Sequence, residues 1–419
     1  MNKKKIISIV ISLVILIVFF ISYGIYISVK EKNNNINKDI KEESSENDKN
    51  NDEENKLYET SLSTLKEQIL LDNDAKSDKF IDFNYNSEGC SEFDYGQDKC
   101  LNFDENQVTN GLYYTADETL DLYGEDGKRI YYFRGDVDNN WVSFADYKWR
   151  IVRTTKDNGV KILYSGDGKS KENVFIAENV IFNKVPEYKY ELYHDGYTYN
   201  SDLNGYYGKQ ADSSIKKVID AWFYGNKTFD QECDGKDCDF TNNSSKLSDY
   251  QSYLSQTAIY CQDRSAIDIK YNSNSEYALW VNYNRGSRPT FACPEKNASR
   301  YTVDSSGGNG YLDNSIALLT IDEVNYSGII LKRKKTSSAY MFDNISNQAL
   351  MWWTMSPFGG YRTTMYHLSI LTVHGSGTSS SSISNRNSVR PVVSLKSCVT
   401  VVSGNGSFES PYEVSDSKC

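Results

Sequence analysis

Histidine is scarce in this 419-residue chain: His194, His367 and His374 are the only three. A serine or cysteine triad needs a histidine base, so few triads can be built. A structural zinc site needs ligands clustered at short spacing, and none of that kind is found around these residues. There is no G-x-S-x-G elbow, no phosphate-binding loop and no dinucleotide fingerprint. No repeat of solenoid period occurs. Excess positive charge is also lacking. Lys and Arg number 46 against 57 Asp and Glu, a net charge of −11. Phosphate binding needs a basic face, which excludes nucleic acid as a partner. The 57 acids offer too many carboxylate pairs to single one out. The length suggests two or three domains, and a mean hydropathy of −0.61 makes most of the chain soluble.

One long apolar run stands against that background. Residues 6–29 (IISIVISLVILIVFFISYGIYISV) carry no charge. At 1.5 Å per residue they exceed a hydrocarbon core of roughly 30 Å. Lys3, Lys4 and Lys5 precede them, which places the N-terminus in the cytoplasm and the rest outside. A cleaved signal peptide has a shorter apolar region and a small-residue site after it. Here Phe19, Phe20, Tyr23 and Tyr26 are bulky. The expectation is a single-pass signal anchor in the cell membrane, with the C-terminal part exported. No cysteine lies near the end of the run, which excludes a lipoprotein anchor.

The chain then divides into stretches of different texture. Residues 1–29 are a cytoplasmic tip and transmembrane helix. Residues 30–56 are Asn, Lys, Asp, Glu and Ser with almost nothing to bury, an acidic tether expected to stay disordered. Residues 57–105 hold an amphipathic helix and a polar loop with Cys90 and Cys100. Tyr58, Leu62, Leu65 and Ile69 share one helical face, capped at Thr60 or Ser61. Residues 106–419 read as an α+β domain. Strands are expected at 130–134, 141–153 and 160–165, with a hairpin turn at Lys156-Asp-Asn-Gly159. Helices are expected at 213–224 and 246–260, and Thr320-Ile-Asp-Glu323 is a capping box. Strands return at 351–355, 366–373 and 389–395, with 375–388 a flexible loop. The strands at the two ends should meet in one sheet.

Eight cysteines argue against a reducing cytosol. Of 105 possible connectivities, neighbour pairing is favoured: Cys90 with Cys100, Cys233 with Cys238, Cys261 with Cys293, Cys398 with Cys419. Each pair flanks a polar loop or a hairpin. Two smaller motifs read as turns rather than sites. Arg134-Gly135-Asp136, an integrin-type tripeptide, falls where a strand should end. Asp136, Asp138 and Asn140 match the opening ligands of a calcium loop, but its sixth and twelfth positions are Trp141 and Tyr147, not Gly and Glu. The sequence implies no cofactor, and no motif supports calcium. The 33 Tyr and six Trp should fill a β-rich core, with a few lining a binding face in the C-terminal third.

Four segments in order carry a family resemblance: IYYFRGDVDNNWVSFADYKWRIVR at 130–153, IALLTIDEV at 316–324, WWTMSP at 352–357 and SVRPVVSLKSCVTVVSGNGSFESPYEV at 388–414. They resemble a family of exported, membrane-anchored bacterial domains of unknown function, common in AT-rich Gram-positive bacteria. That family is similar in turn to the C-type-lectin-like fold, in its formylglycine-generating-enzyme branch. The likeness rests on Leu319-Thr320-Ile321-Asp322-Glu323, Trp352-Trp353-Thr354-Met355-Ser356-Pro357 and Val389-Arg390-Pro391. It implies a C-type-lectin-like fold and an outside location. The copper-binding cysteine pair of those enzymes has no counterpart, since Cys398 and Cys419 bracket a terminal hairpin. The calcium tripeptides of sugar-binding lectins are absent as well. The expected function is a non-catalytic, surface-displayed binding or adhesion module for a glycan or a surface protein. Its face is expected near Tyr361, Arg362, Tyr366, His367, His374 and the segment 375–388. The alternatives are an extracytoplasmic enzyme acting on cell-wall or host glycans, and a structural envelope protein.

Overall fold

The β-rich runs after residue 110 build a mixed sheet that recruits both ends of the domain. The computed structural model describes residues 62–81, 110–168, 174–182, 198–200, 205–207, 212–233, 236–241, 243–262, 289–293, 300–329, 339–342, 351–360, 368–374, 377–382 and 385–419. The apolar run 6–29, the tether 30–56 and the pair Cys90 and Cys100 lie outside the described residues. Among the described residues no helix is long and apolar enough to cross a membrane. Residues Ser63–Cys419 make one compact unit.

In chain order the first elements are helix α1 (Leu65–Asp72), strands β1 (Lys76–Ser77) and β2 (Gly111–Tyr114), and helix α2 (Leu120–Tyr123). Strands β3 (Tyr131–Arg134), β4 (Trp141–Phe144), β5 (Tyr147–Thr154), β6 (Val160–Tyr164) and β7 (Ala177–Ile181) follow. A short hairpin, β8 (Thr198–Asn200) and β9 (Gly205–Tyr207), precedes helix α3 (Ser214–Phe223) and hairpin β10 (Thr228–Cys233) and β11 (Lys236–Asp239). Strands β12 (Tyr260–Cys261), β13 (Arg300–Tyr301) and β14 (Ile316–Ala317) lead to helix α4 (Ile321–Tyr326). The last strands are β15 (Trp352–Gly360), β16 (Leu368–His374), β17 (Gly377–Ser382), β18 (Arg386–Val389), β19 (Val392–Leu395), β20 (Thr400–Ser403) and β21 (Tyr412–Ser415).

The main sheet runs β1-β2-β3-β5-β4-β21-β20, and β6, β19 and β14 extend it from the other side of β5. The fold is thus mixed α and β with strands predominating. The two ends of the domain meet in one sheet, as expected: β21 lies parallel to β4, and β19 antiparallel to β6. A second sheet runs β17-β16-β15-β18-β7. The turn at 156–159 closes β5 onto β6, with Asn158 left-handed at φ 64°.

Four local expectations need correction. The run 141–153 is two strands, because Ala145 and Asp146 take φ of 53° and 60° and form a two-residue hairpin turn without the usual Gly or Asn. Helix α1 starts at Leu65, after the non-helical residues 62–64, rather than directly behind a cap at Thr60 or Ser61. Thr64 is its N-cap, and its box with Glu67 ends the extended stretch in which Thr64 bridges Thr400. Residues 246–260 are not one helix. A 3₁₀ turn at Leu247–Tyr253 packs Tyr250 and Tyr253 on Phe144, and Leu254 then bridges Leu395. The loop expected at 375–388 contains β17 and β18. The serine run pairs along β16, from Ser369 opposite Ser382 to His374 opposite Gly377. Helix α3 matches its expectation, burying Ile215, Val218, Ile219 and Trp222.

Aromatic residues fill the core. Trp141, Trp149, Trp222, Trp352 and Trp353 are all buried, and Trp280 lies outside the described residues. Trp222 sits 5.2 Å from Tyr147 and 5.3 Å from Tyr164, ring centre to ring centre. Such pairs add about 0.5–1.5 kcal/mol each beyond the area they bury. Two disulfides close loops in this unit, Cys261–Cys293 and Cys398–Cys419, both as paired from sequence. Cys233 and Cys238 lie on the two strands of the β10–β11 hairpin.

Candidate functional site

Four charged side chains meet where β5, β6 and α4 converge. Strand β5 bulges after Ile151: Ile151 faces Ile162, yet Arg153 faces Lys161, so β5 advances two residues while β6 advances one. The bulge sets two cations directly across from each other, an unfavourable pair on its own. Glu323 offsets it. Its Oε1 accepts from Arg153 Nε and from Lys161 Nζ, both at 2.7 Å. The other carboxylate is Glu125. It stands on a tight turn with Asp126 and Gly127 left-handed, where a side chain at Gly124 would strike the Lys128 carbonyl. Glu125 Oε1 accepts from Arg153 Nη2 at 2.9 Å, and its Oε2 from the Lys156 N–H at 2.7 Å.

The α4 capping box supplies the remaining bonds. Thr320 Oγ1 accepts from the Glu323 N–H at 3.0 Å, and the Thr320 N–H donates to Glu323 Oε2 at 3.0 Å. Glu323 is therefore both helix cap and counter-ion. Lys161 Nζ also donates to the Ile259 carbonyl at 3.1 Å and lies 4.7 Å from the centre of the Tyr260 ring. All four charged side chains are buried. Above them opens a small pocket lined by Glu125, Arg153, Thr290, Asp322, Glu323 and Ser356, with a cavity volume of about 20 Å³. That is room for about one water molecule. Its outer wall is the segment 289–293. The Thr290 N–H donates to Asp322, Phe291 stacks on Tyr326 at 3.9 Å, and Cys293 is disulfide-bonded to Cys261.

Burial alone would raise the Glu323 carboxyl, but Lys161 and Arg153 outweigh it and hold it at about 2. Burial and the like charge of Arg153 bring Lys161 down to about 8, against the pull of Glu323. For Glu323 the folded value lies below the unfolded 4.5. Its contribution to stability is fully present above pH 4.5 and is lost as pH falls toward 2. The shift corresponds to about 3 kcal/mol. Urea unfolding between pH 6 and pH 2.5 should show this loss, and the variant Glu323→Gln should show a visibly flatter profile. Parallel profiles would rule the cluster out as its source.

Other candidate groups resolve into structure. Asp212, Asp220 and Asp313 bring carboxylate oxygens within 4.8 Å of one another. The Lys216 ammonium sits among them, 2.8 Å from Asp313 and 2.5 Å from Asp220, and takes the place a metal would need. Burial pushes the Asp220 carboxyl up despite that partner. The Arg134-Gly135-Asp136 tripeptide is a turn with Gly135 at φ 77°. Arg134 is buried and donates to the Asn325 and Tyr326 carbonyls, so it is not presented to a partner. Asn140, the third residue of the calcium-like run, is buried and donates to the Ile151 carbonyl.

Tyr361, Arg362, Tyr366 and His367 lie outside the described residues, between the paired residues Gly360 and Leu368. His374 is at the far end of β16 from Leu368, about 20 Å along the strand at about 3.3 Å per residue. Sequence reasoning named Glu323 only as a cap and missed Glu125, Arg153 and Lys161. The signals available were the Glu-Asp-Gly turn at 125–127 and two strand cations flanking the 156–159 hairpin. No known family model, no curated protein and no solved structure matches this chain.

Proposed function

We propose that the chain is a membrane-anchored, surface-displayed binding or adhesion module on a C-type-lectin-like scaffold, held outside the cell by its N-terminal apolar run. The observation that carries this reading is the pair of disulfides, Cys261–Cys293 and Cys398–Cys419, in one α+β unit. Disulfides persist in oxidising compartments, and a 24-residue uncharged run with three lysines before it is the device that would place the unit there. The ligand is a glycan or a surface protein. The contact face is the connection 361–367 together with the serine-rich strand β17. Function commonly sits on loops held by a rigid scaffold.

The enzyme reading would rest on the carboxylates of the small pocket. Glu323 argues against it. A general acid works best with its pKa near the operating pH, and Glu323 is held at about 2 by two cations. The test is a glycan-array and cell-wall pull-down screen with the full chain in detergent, oxidised, with and without calcium. A saturable hit that Tyr361→Ala or His367→Ala weakens is the expected result. A blank in both conditions would overturn the glycan form of the proposal and leave a protein ligand or a structural role.

A further inference from the structure

An open sheet edge is a template for another strand, and folded proteins block it with charge, proline, a bulge, short length or a covering segment. The edges of the two large sheets carry these devices, with one exception. Strands β1 and β14 are two residues long. Strand β20 is covered by the stretch before α1: Thr64 bridges Thr400, and the Val401 N–H donates to the Ser63 carbonyl. Strand β7 carries the exposed Glu178, a left-handed Asn179 at φ 58° and a shifted register against β18. Strand β17 has none of them. It ends its sheet among the described residues. It runs beside β16 through six successive pairs, from Ser369 with Ser382 to His374 with Gly377, without a bulge. Its sequence, GTSSSS, holds no charge and no proline.

Charge is scarce around it as well. Residues 344–385, which include β15, β16 and β17, hold Arg362 and no other Asp, Glu, Lys or Arg, in a chain that is 25% charged. Copies of a chain with a net charge of −11 repel one another, and an uncharged edge is where that repulsion is weakest. The edge is also self-complementary. Antiparallel pairing of two β17 strands about Ser380 sets Thr378 opposite Ser382 and Ser379 opposite Ser381, hydroxyl against hydroxyl with no like charges facing. Opposite residues of an antiparallel pair share a face. That register therefore keeps Ser381, which is buried and accepts from the Asn385 and Asn387 amides, on the covered side in both copies.

We propose that β17 is a homodimer edge: two copies of the chain pair their β17 strands antiparallel about a two-fold axis and join their second sheets into one. A two-fold contact uses the same edge on both copies and so stops at two. Two ligand faces then lie on one assembly, which strengthens binding to a repeated ligand without any new contact.

The test is disulfide cross-linking between copies of the full chain in detergent. Across the axis the two Ser380 Cα atoms face each other at about 4.5–5.5 Å, within the span that a disulfide bridges. The variant Ser380→Cys should form covalent dimers at least about tenfold faster than Leu71→Cys, a control whose residue is 72% exposed on α1. Adding Thr378→Lys and Ser382→Lys sets lysine opposite lysine at both ends of the pair and should bring the Ser380→Cys rate down to that of the control. Equal rates at the two cysteines would overturn the proposal, and this is the outcome if β17 takes a strand of a different protein. Cross-linking at 380 that the two lysines leave unchanged would overturn it too. Should the lysine variant not fold, the comparison of Ser380→Cys with Leu71→Cys decides by itself. The cross-link needs no ligand, so a blank glycan screen bears on the ligand reading and not on the dimer.

Discussion

Replacing Glu323 by Gln should lower the unfolding free energy by about 3–5 kcal/mol, the usual cost of removing one partner from a buried ion pair. Glutamine keeps the shape and can still accept from the Thr320 N–H, so the α4 cap survives. The carboxylate charge between Arg153 Nε and Lys161 Nζ does not. Two cations set across a strand pair would then face each other with Glu125 as the remaining counter-charge, and of those two cations Glu125 pairs with Arg153. A second substitution separates charge from packing. If the cost is electrostatic, Lys161→Met in the Glu323→Gln background removes the orphaned ammonium and should restore a good part of the stability. Urea denaturation of the three variants checks this. A loss under about 1 kcal/mol in Glu323→Gln, the range of exposed pairs, would mean that water reaches the cluster freely.

That cluster also marks where sequence reasoning stops. The capping box Thr320-x-x-Glu323 was legible because its bonds lie within four residues, and the structure reproduces both of them. The same glutamate's second role was not legible. Its partners lie 162 and 170 residues away, and a bulge in β5 decides that Arg153 faces Lys161. A strict two-residue alternation from Ile151 opposite Ile162 would place Lys161 elsewhere in the register. Helix α3 was legible for the opposite reason: four apolar residues at helical spacing bury one face whatever they meet. Residues 246–260 show the reverse failure. A periodicity weaker than that of α3 yielded to Phe144, which gathers Tyr250 and Tyr253, and to the edge of β19. The Ala145-Asp146 turn escaped notice because Ala145 does not belong to the Gly, Asn and Asp set that usually accepts φ near +55°, although Asp146 does. Strand β17 escaped because five small polar residues carry no apolar alternation to read.

Opening the Cys261–Cys293 bridge should cost more than opening Cys398–Cys419. The loops span 32 and 21 residues, for which the loss of unfolded-chain entropy alone gives about 3.7 and about 3.3 kcal/mol, a gap of only about 0.4 kcal/mol. The difference should exceed that entropic gap, because the longer bridge ties together two pieces of the pocket. Cys261 follows Tyr260, which lies under the Lys161 ammonium. Cys293 ends the segment whose Phe291 stacks on Tyr326 and lies 5.1 Å from the Arg153 guanidinium. Cys398, by contrast, joins Cys419 beside the β20–β21 hairpin, whose strands remain paired through Val401 and Val414. The paired variants Cys261→Ser/Cys293→Ser and Cys398→Ser/Cys419→Ser, compared by urea unfolding of oxidised protein, give the order directly. Equal losses would mean that the bridge at 261 and 293 acts through chain entropy alone. The wall over the ion cluster would then hold by the Thr290–Asp322 bond and the Phe291 stack without it. A larger loss at 261 and 293, with the amides of 289–293 exchanging first, would identify the disulfide as what holds the outer wall of the pocket over the ion cluster.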